Sequence, residues 1–244
     1  MEEKLTKDEK KALRKLEWEE KAKKDKRSGT IKQYSIWIAA AAAVVLAVVG
    51  LFWLIATPPA GQSQAIKVAP ITKRDITNGN SKAKITLIEY SDFQCPACAA
   101  YHPIVNQILS AYGKNIYFVY RMFPLTNAHP NAHIAAQAAY AALKQGQFMP
   151  MADMLFNKQG EWADLQDPTT AFADYAKLLK LDVNKFKTDM NSDEAKNYVN
   201  TSEQEALSEG INATPTFILN GNKITNPASF DDFKKLIDNE LTKK

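Results

Sequence analysis

The chain has 244 residues, 45% of them apolar and 24% charged, which fits one or two globular units. Its formal charge of +4 sits in residues 1–34, with 12 Lys/Arg against 8 Asp/Glu; the remainder is balanced at 19 of each. That balance argues against a nucleic-acid partner, and two cysteines cannot make a multiply cross-linked scaffold.

Residues 1–35 read as a charged leader. Opposite charges recur three or four apart, which predicts a solvated helix; Leu5, Ala12, Leu13 and Leu16 could add a short apolar stripe. Ile36–Ala56 is a run of 21 residues without charge. As a helix it would be about 31 Å long, close to the roughly 30 Å bilayer core. Trp37 and Trp53 lie near its ends, where aromatic residues favour the headgroup region. A soluble helix of this length would show a polar face, and a cleaved signal peptide would have a shorter apolar stretch. The reading is one uncleaved transmembrane signal anchor over residues 36–56. Twelve basic residues precede it and only Lys67, Lys73 and Arg74 follow closely. The positive-inside rule then places the N-terminus in the cytoplasm and the rest outside the cell membrane. Residues 57–80, with Pro58-Pro59 and Asn78-Gly79-Asn80, read as a linker.

A globular domain is expected over residues 81–244. Lys84–Tyr90, an apolar and β-branched run, reads as a strand, and Ala99–Tyr112 reads as a helix. Between them lies Cys95-Pro96-Ala97-Cys98, which contains both cysteines. Asn115–Phe123 is a second strand. Residues 131–209 carry helical patterns, giving a helical insert of about 128–210. Thr216–Asn220 and Lys223–Thr225 form a hairpin about Asn220-Gly221-Asn222, and Ser229–Leu241 is a closing helix capped by Ser229. The order predicts an α/β fold interrupted by helices.

The cysteine pair falls where a strand becomes a helix. Free N–H groups and a partial positive charge at the helix start stabilise a thiolate. They lower its pKa from the free value of about 8.5. Pro96 suits the first helical position, because its missing N–H costs nothing there. Cys95 would be the exposed N-cap thiol and Cys98, one turn on, the more buried one. Such a pair suits nucleophilic attack and resolution.

Ile88-Glu89-Tyr90-Ser91-Asp92-Phe93-Gln94-Cys95-Pro96-Ala97-Cys98, followed some 120 residues later by Ala213-Thr214-Pro215-Thr216-Phe217, resembles the DsbA-like thiol-disulfide oxidoreductases, closest to their membrane-anchored members. The resemblance covers most of residues 70–244 and implies a thioredoxin fold with a helical insertion. It further implies that Cys95 attacks, that Cys98 resolves, and that Thr214-Pro215 is a cis-proline loop contacting substrate. Pro96 and Ala97 would tune the pair. Glu89 would assist proton transfer beneath it, although strand alternation alone leaves open whether Glu89 faces the core or solvent. No cofactor is implied. The implied partners are unfolded or newly exported proteins and a quinone-linked membrane protein that reoxidises the pair. The strongly oxidising members carry histidine where this chain has Ala97. A reduction potential between the class extremes of roughly −120 and −270 mV is therefore expected, and the oxidase or isomerase preference stays open.

Two rival readings stand beside this one. Cys95, Cys98, His129 and His133 mimic zinc-ligand spacing, with His102 nearby. The gap is too long for a finger, Pro96 is typical of redox loops, and Asn127–Asn131 reads as a plain polar loop. A redox-inert binding module would not need both cysteines.

Overall fold

The computed structural model describes residues 64–65 and 67–243, together with Trp18 and residues 44–46. Of the expected anchor, Val44, Val45 and Leu46 are helical and exposed. The rest of residues 36–56, and the leader apart from Trp18, lie outside the described residues. Among the described residues no helix is long and apolar enough to cross a membrane.

The compact unit from Gly61 to Lys244 is built on one six-stranded sheet. Its strands are β1 (Gln64–Ala65), β2 (Ile76–Gly79), β3 (Ile85–Ser91), β4 (Ile116–Met122), β5 (Thr216–Leu219) and β6 (Asn222–Lys223). They lie in the order β1-β6-β5-β3-β4-β2. Only β3 and β4 run parallel, with Ile85 opposite Ile116 and Ser91 opposite Met122; the other pairs are antiparallel. A parallel pair needs a crossover, and helix α1 (Pro96–Tyr112) supplies it. Helix α1 ends at Gly113, φ +46, whose N–H donates to the Leu109 carbonyl.

Five α2–α6 segments follow β4: α2 (Ala132–Leu143), α3 (Phe148–Asn157), α4 (Gln159–Trp162), α5 (Thr169–Leu178) and α6 (Val183–Met190). Helix α7 (Asp193–Ser208) leads back to the sheet, and α8 (Phe230–Thr242) closes the chain. Alanines 135, 136, 138, 139, 141 and 142 are buried, so α2 can approach α3, α6 and α7 closely. The strand-plus-helix order and the helical insert agree with expectation. The short α4 was not foreseen.

Residues 57–80 read as a linker, yet their described residues include β1 and β2 of the sheet, and Ala69 and Asp75 lie against it. Arg121 holds the stretch down. Its Nε donates to Asp75 at 2.7 Å and its Nη2 to the Ala69 carbonyl at 3.0 Å, while Nη1 donates to the Tyr90 hydroxyl. Tyr90 donates in turn to Glu209 on the segment after α7. None of these partners is near in sequence, which is why the turn residues dominated the sequence reading. Gly79 reads as a loop residue but ends β2 at φ +90; a Cβ there would sit 2.3 Å from the Ile116 carbonyl oxygen.

The sheet has two apolar faces. One carries Ile85, Leu87, Phe118, Phe217 and Leu219 beneath Val105 and Ile108 of α1 and Phe233 and Ile237 of α8. The other carries Ile88, Tyr90, Val119 and Ile218 under Ala206 and Ile211. Each large apolar side chain fully buried here contributes about 1.5–3 kcal/mol.

Candidate active site

Strand β3 ends at Ser91, and Asp92–Gln94 turn the chain into α1. Cys95 is the N-cap, in extended conformation, and Pro96 takes the first helical position as predicted. No side chain caps this helix start, so its dipole and free amides act on the Cys95 sulfur. Cys95 is only 7% exposed, less open than expected, while Cys98 is fully buried. Pro96 and Ala97 are exposed. The Thr214–Pro215 bond is cis, and the Thr214 carbonyl oxygen lies 3.5 Å from Cys95 Sγ. Residues 119 apart in sequence thus meet at the Cys95 sulfur.

The two thiols differ sharply. The Cys98 thiol, donating towards the Cys95 sulfur, and the backbone amides of Cys98 and Ala97 bring the Cys95 pKa from 9.0 down to about 5, against the effect of burial. Burial drives the Cys98 pKa far up, and the neighbouring Cys95 sulfur adds to it. Both are free thiols. The arrangement favours the thiolate at Cys95 and the protonated thiol at Cys98.

Glu89, left undecided by alternation, is 3% exposed. It shares the face of Ile85 and Leu87, beneath α1, and lies opposite Tyr120 on β4 and Phe217 on β5. Burial pushes its pKa up to about 7. A carboxyl group with that value can exchange a proton near neutral pH.

Several residues that sequence reading missed build the loop. Asp92, fully buried, accepts from Gln94 N–H at 2.8 Å, Leu125 N–H at 2.9 Å and His129 Nδ1 at 2.7 Å. Its own N–H points at Cys98 Sγ, 3.5 Å away. In sequence His129 is an unremarkable loop residue; in the structure it is a partner of Asp92. Gln94 accepts from Asn131 N–H and donates to the Ala163 carbonyl. Gln159 donates to the carbonyls of Phe93 and Cys95. These bonds fix the helical insert to the cysteine loop. No local pattern in the sequence signals these bonds, because Asp92 and Gln94 are two of several polar residues on the approach to the cysteines. A cleft of about 640 Å³, lined in part by Pro96, His129, Pro130, Gln159 and Leu165, opens beside the loop.

The histidines weighed as zinc ligands are committed elsewhere: His129 to Asp92, His133 to Asn200 and His102 to Asp153. Among the described residues no group of three or more His, Cys, Asp or Glu is placed to hold a metal ion.

The thioredoxin family model matches residues 72–239. Among solved structures, oxidised BdbD from Bacillus subtilis is 24% identical, with a TM-score of 0.65 over 74% of this chain and all of that one. The alpha-DsbA1 protein of Wolbachia pipientis is 24% identical, with a TM-score of 0.62 over 70% of this chain and 92% of its own. The catalytic domain of Proteus mirabilis ScsC gives 18% and 0.58 over 70% and 92%. At these identities the likeness concerns the fold. Curated relatives include the Na(+)/H(+) antiporter NhaA 1 of Mycolicibacterium gilvum, 33% identical over 179 residues, which are 72% of this chain and 28% of the relative. The NhaA 1 antiporter of Salinispora arenicola is 37% identical over 152 residues, 62% of this chain and 22% of the relative. The chain therefore spans under a third of the length of these curated relatives.

Proposed function

Since this chain belongs to the thioredoxin family, we propose that it catalyses thiol-disulfide exchange in other proteins, as a dithiol oxidase working through Cys95 and Cys98. The observation that carries the reading is the asymmetry of the two sulfurs: an ionised Cys95 at a helix start and a buried, protonated Cys98 next to it. A substrate thiolate attacks the Cys95 sulfur of the oxidised pair. The Cys95–Cys98 bond breaks, its electron pair goes to Cys98, and a mixed disulfide forms with Cys95. A second substrate thiolate then attacks the substrate's own sulfur in that bond, which releases a substrate disulfide and leaves Cys95 as thiolate. A thiolate stabilised in the reduced protein makes the disulfide a better oxidant. Glu89 exchanges the proton of Cys98, and the Thr214-Pro215 loop meets the substrate backbone beside Cys95.

The proposed substrates are unfolded or newly exported proteins, and the proposed reoxidant is a quinone-linked membrane protein. The uncharged run of residues 36–56 and the charge bias around it support a single-pass anchor with the catalytic unit outside the cell membrane. Protease accessibility of the folded unit in intact cells and in inverted vesicles would test that placement. Sodium–proton antiport is named for longer relatives and is not carried over, because the match leaves most of their length uncovered. Ala97, in place of a charge-stabilising residue, favours a second direction, reduction or isomerisation. The reduction potential separates these readings: near about −120 mV supports an oxidase, near about −270 mV a reductase. In a dithiol-peptide oxidation assay Cys95→Ser should lose all activity. Activity retained in that variant would refute the proposal, and so would wild-type protein inert toward both thiols and disulfides.

A further inference from the structure

Cys98 has no exposed surface, so every proton it gains or loses must cross the interior. Glu89 beneath it is nearly as enclosed. Exchange at the rate of turnover therefore needs a way out for the proton, and polar groups stand both beside this centre and between it and the surface.

The inner groups are a pair of buried hydroxyls. Ser91 Oγ and Tyr120 OH are buried without a well-formed hydrogen bond among the described residues, although the Ser91 hydroxyl lies close enough to act on Glu89, Tyr120 and Cys98. Ser91 stands two residues beyond Glu89 on the same face of β3, and Tyr120 is directly opposite Glu89 on β4. An unpaired buried hydroxyl costs about 1–3 kcal/mol. Bound water with several polar partners is the usual remedy.

The outer groups start on α1. His102 follows Cys98 by four residues and so lies on the same helix face. It is buried, and its ring packs on Phe156 of α3 at 4.7 Å between centroids. Its Nε2 lies 2.6 Å from Asp153 Oδ1, and Asn106 Nδ2 donates to the same oxygen at 3.1 Å. The Asp153 side chain is 46% exposed, which brings these groups to solvent. At Glu89 the effect of burial is opposed first by the Ser91 hydroxyl and then by His102. Asp92, the other carboxylate beside Cys98, is already committed to three donors.

We propose that His102 and Asp153 carry protons between the buried Cys98–Glu89 centre and solvent, with the Ser91 and Tyr120 hydroxyls and bound water as the inner link. The inference rests on the exchange activity proposed above. When a mixed disulfide on Cys95 is resolved, the Cys98 S–H bond breaks and its proton passes to Glu89. The sulfur's electron pair forms the Cys98–Cys95 bond. The Cys95–substrate bond breaks, and its pair leaves on the substrate sulfur, which is protonated by solvent. The Glu89 proton then moves outward as the imidazole accepts at one nitrogen and releases at the other. Oxidation of a substrate dithiol returns the proton inward through the same groups.

The test uses the reduced full chain and an aromatic disulfide such as Ellman's reagent, followed by stopped flow. The first thiol released reports Cys95 attack and the second reports resolution by Cys98. His102→Ala should slow the second release by about tenfold or more and leave the first unchanged. Added imidazole should restore it. Asp153→Asn, a half-exposed position that leaves the core intact, should slow the same step less. His102→Ala combined with Glu89→Gln should be no slower than Glu89→Gln alone. The equilibrium reduction potential should not move, because a conduit alters rates only. A second release at the wild-type rate in both single variants refutes the outlet alone. So does a slowing of both releases that imidazole does not repair. Wild-type protein that releases neither thiol refutes the exchange activity, and the outlet with it.

Discussion

Replacing Cys98 with alanine tests the electrostatic account of Cys95 most directly. The largest influence that lowers the Cys95 pKa, from 9.0 to about 5, is the hydrogen bond from the Cys98 thiol. One hydrogen bond to an ionised group contributes about 1.5–3 kcal/mol. At about 1.4 kcal/mol per unit, its loss should raise the Cys95 pKa by about 1–2 units. The helix-start amides remain in Cys98→Ala, so the midpoint should still fall below that of a free thiol, which is about 8.5. Thiolate absorbance against pH, in wild type and variant, reads both midpoints. The same depression has a stability consequence. Its contribution is fully present above the unfolded value of 9.0 and is lost as pH falls through about 5. At pH 7 proton linkage gives about 3 kcal/mol, reduced to about 1–2 by solvent screening so near the surface. Melting of reduced wild type should show this dependence, and Cys95→Ala should lose it. A wild-type midpoint at or above about 8.5, or one that does not move in Cys98→Ala, would show the reasoning to be wrong.

Glu89 has the opposite sign. Its pKa is raised from 4.5 to about 7, so the folded state is most favoured below 4.5 and loses stability as pH rises through 7. Glu89→Gln should flatten that decline and be the more stable protein at pH 8, by up to about 3 kcal/mol in urea titrations; equal slopes for the two proteins would count against burial as the cause. Gly79→Ala should lose about 1–3 kcal/mol, because it combines a positive φ with a Cβ inside contact distance of the Ile116 carbonyl. An unchanged denaturation midpoint would rule out that close approach. Asp92→Ala strands two backbone N–H groups and His129, so it should cost about 3 kcal/mol or more and loosen the reactive loop. Hydrogen exchange at Gln94 and Leu125 would report it, and protection equal to wild type would contradict the role given to Asp92.

The strand–cysteine–helix unit was legible because its signals are local. An apolar, β-branched run marks β3, Pro96 marks the helix start, and the hairpin lies at Asn220-Gly221. The insert was legible as helices because its Ala-rich and amphipathic patterns are also local. The face taken by Glu89 was not, since both faces of β3 are apolar and either could have held it. The linker reading failed at Ile76–Gly79 for a similar reason: a short edge strand exists only because β4 offers it a partner.

The amino-acid sequence by itself determined the order of strands and helices and placed two thiols at a helix start, because short-range backbone preferences and spacing are written in neighbouring residues. Tertiary structure alone decided what surrounds those thiols. Asp92 meets His129 across 37 residues, His102 meets Asp153 across 51, and Cys95 meets Thr214 across 119. Which distant polar group reaches which depends on how the helical insert folds back over the sheet. That is settled by packing of the buried apolar faces, not by any local pattern.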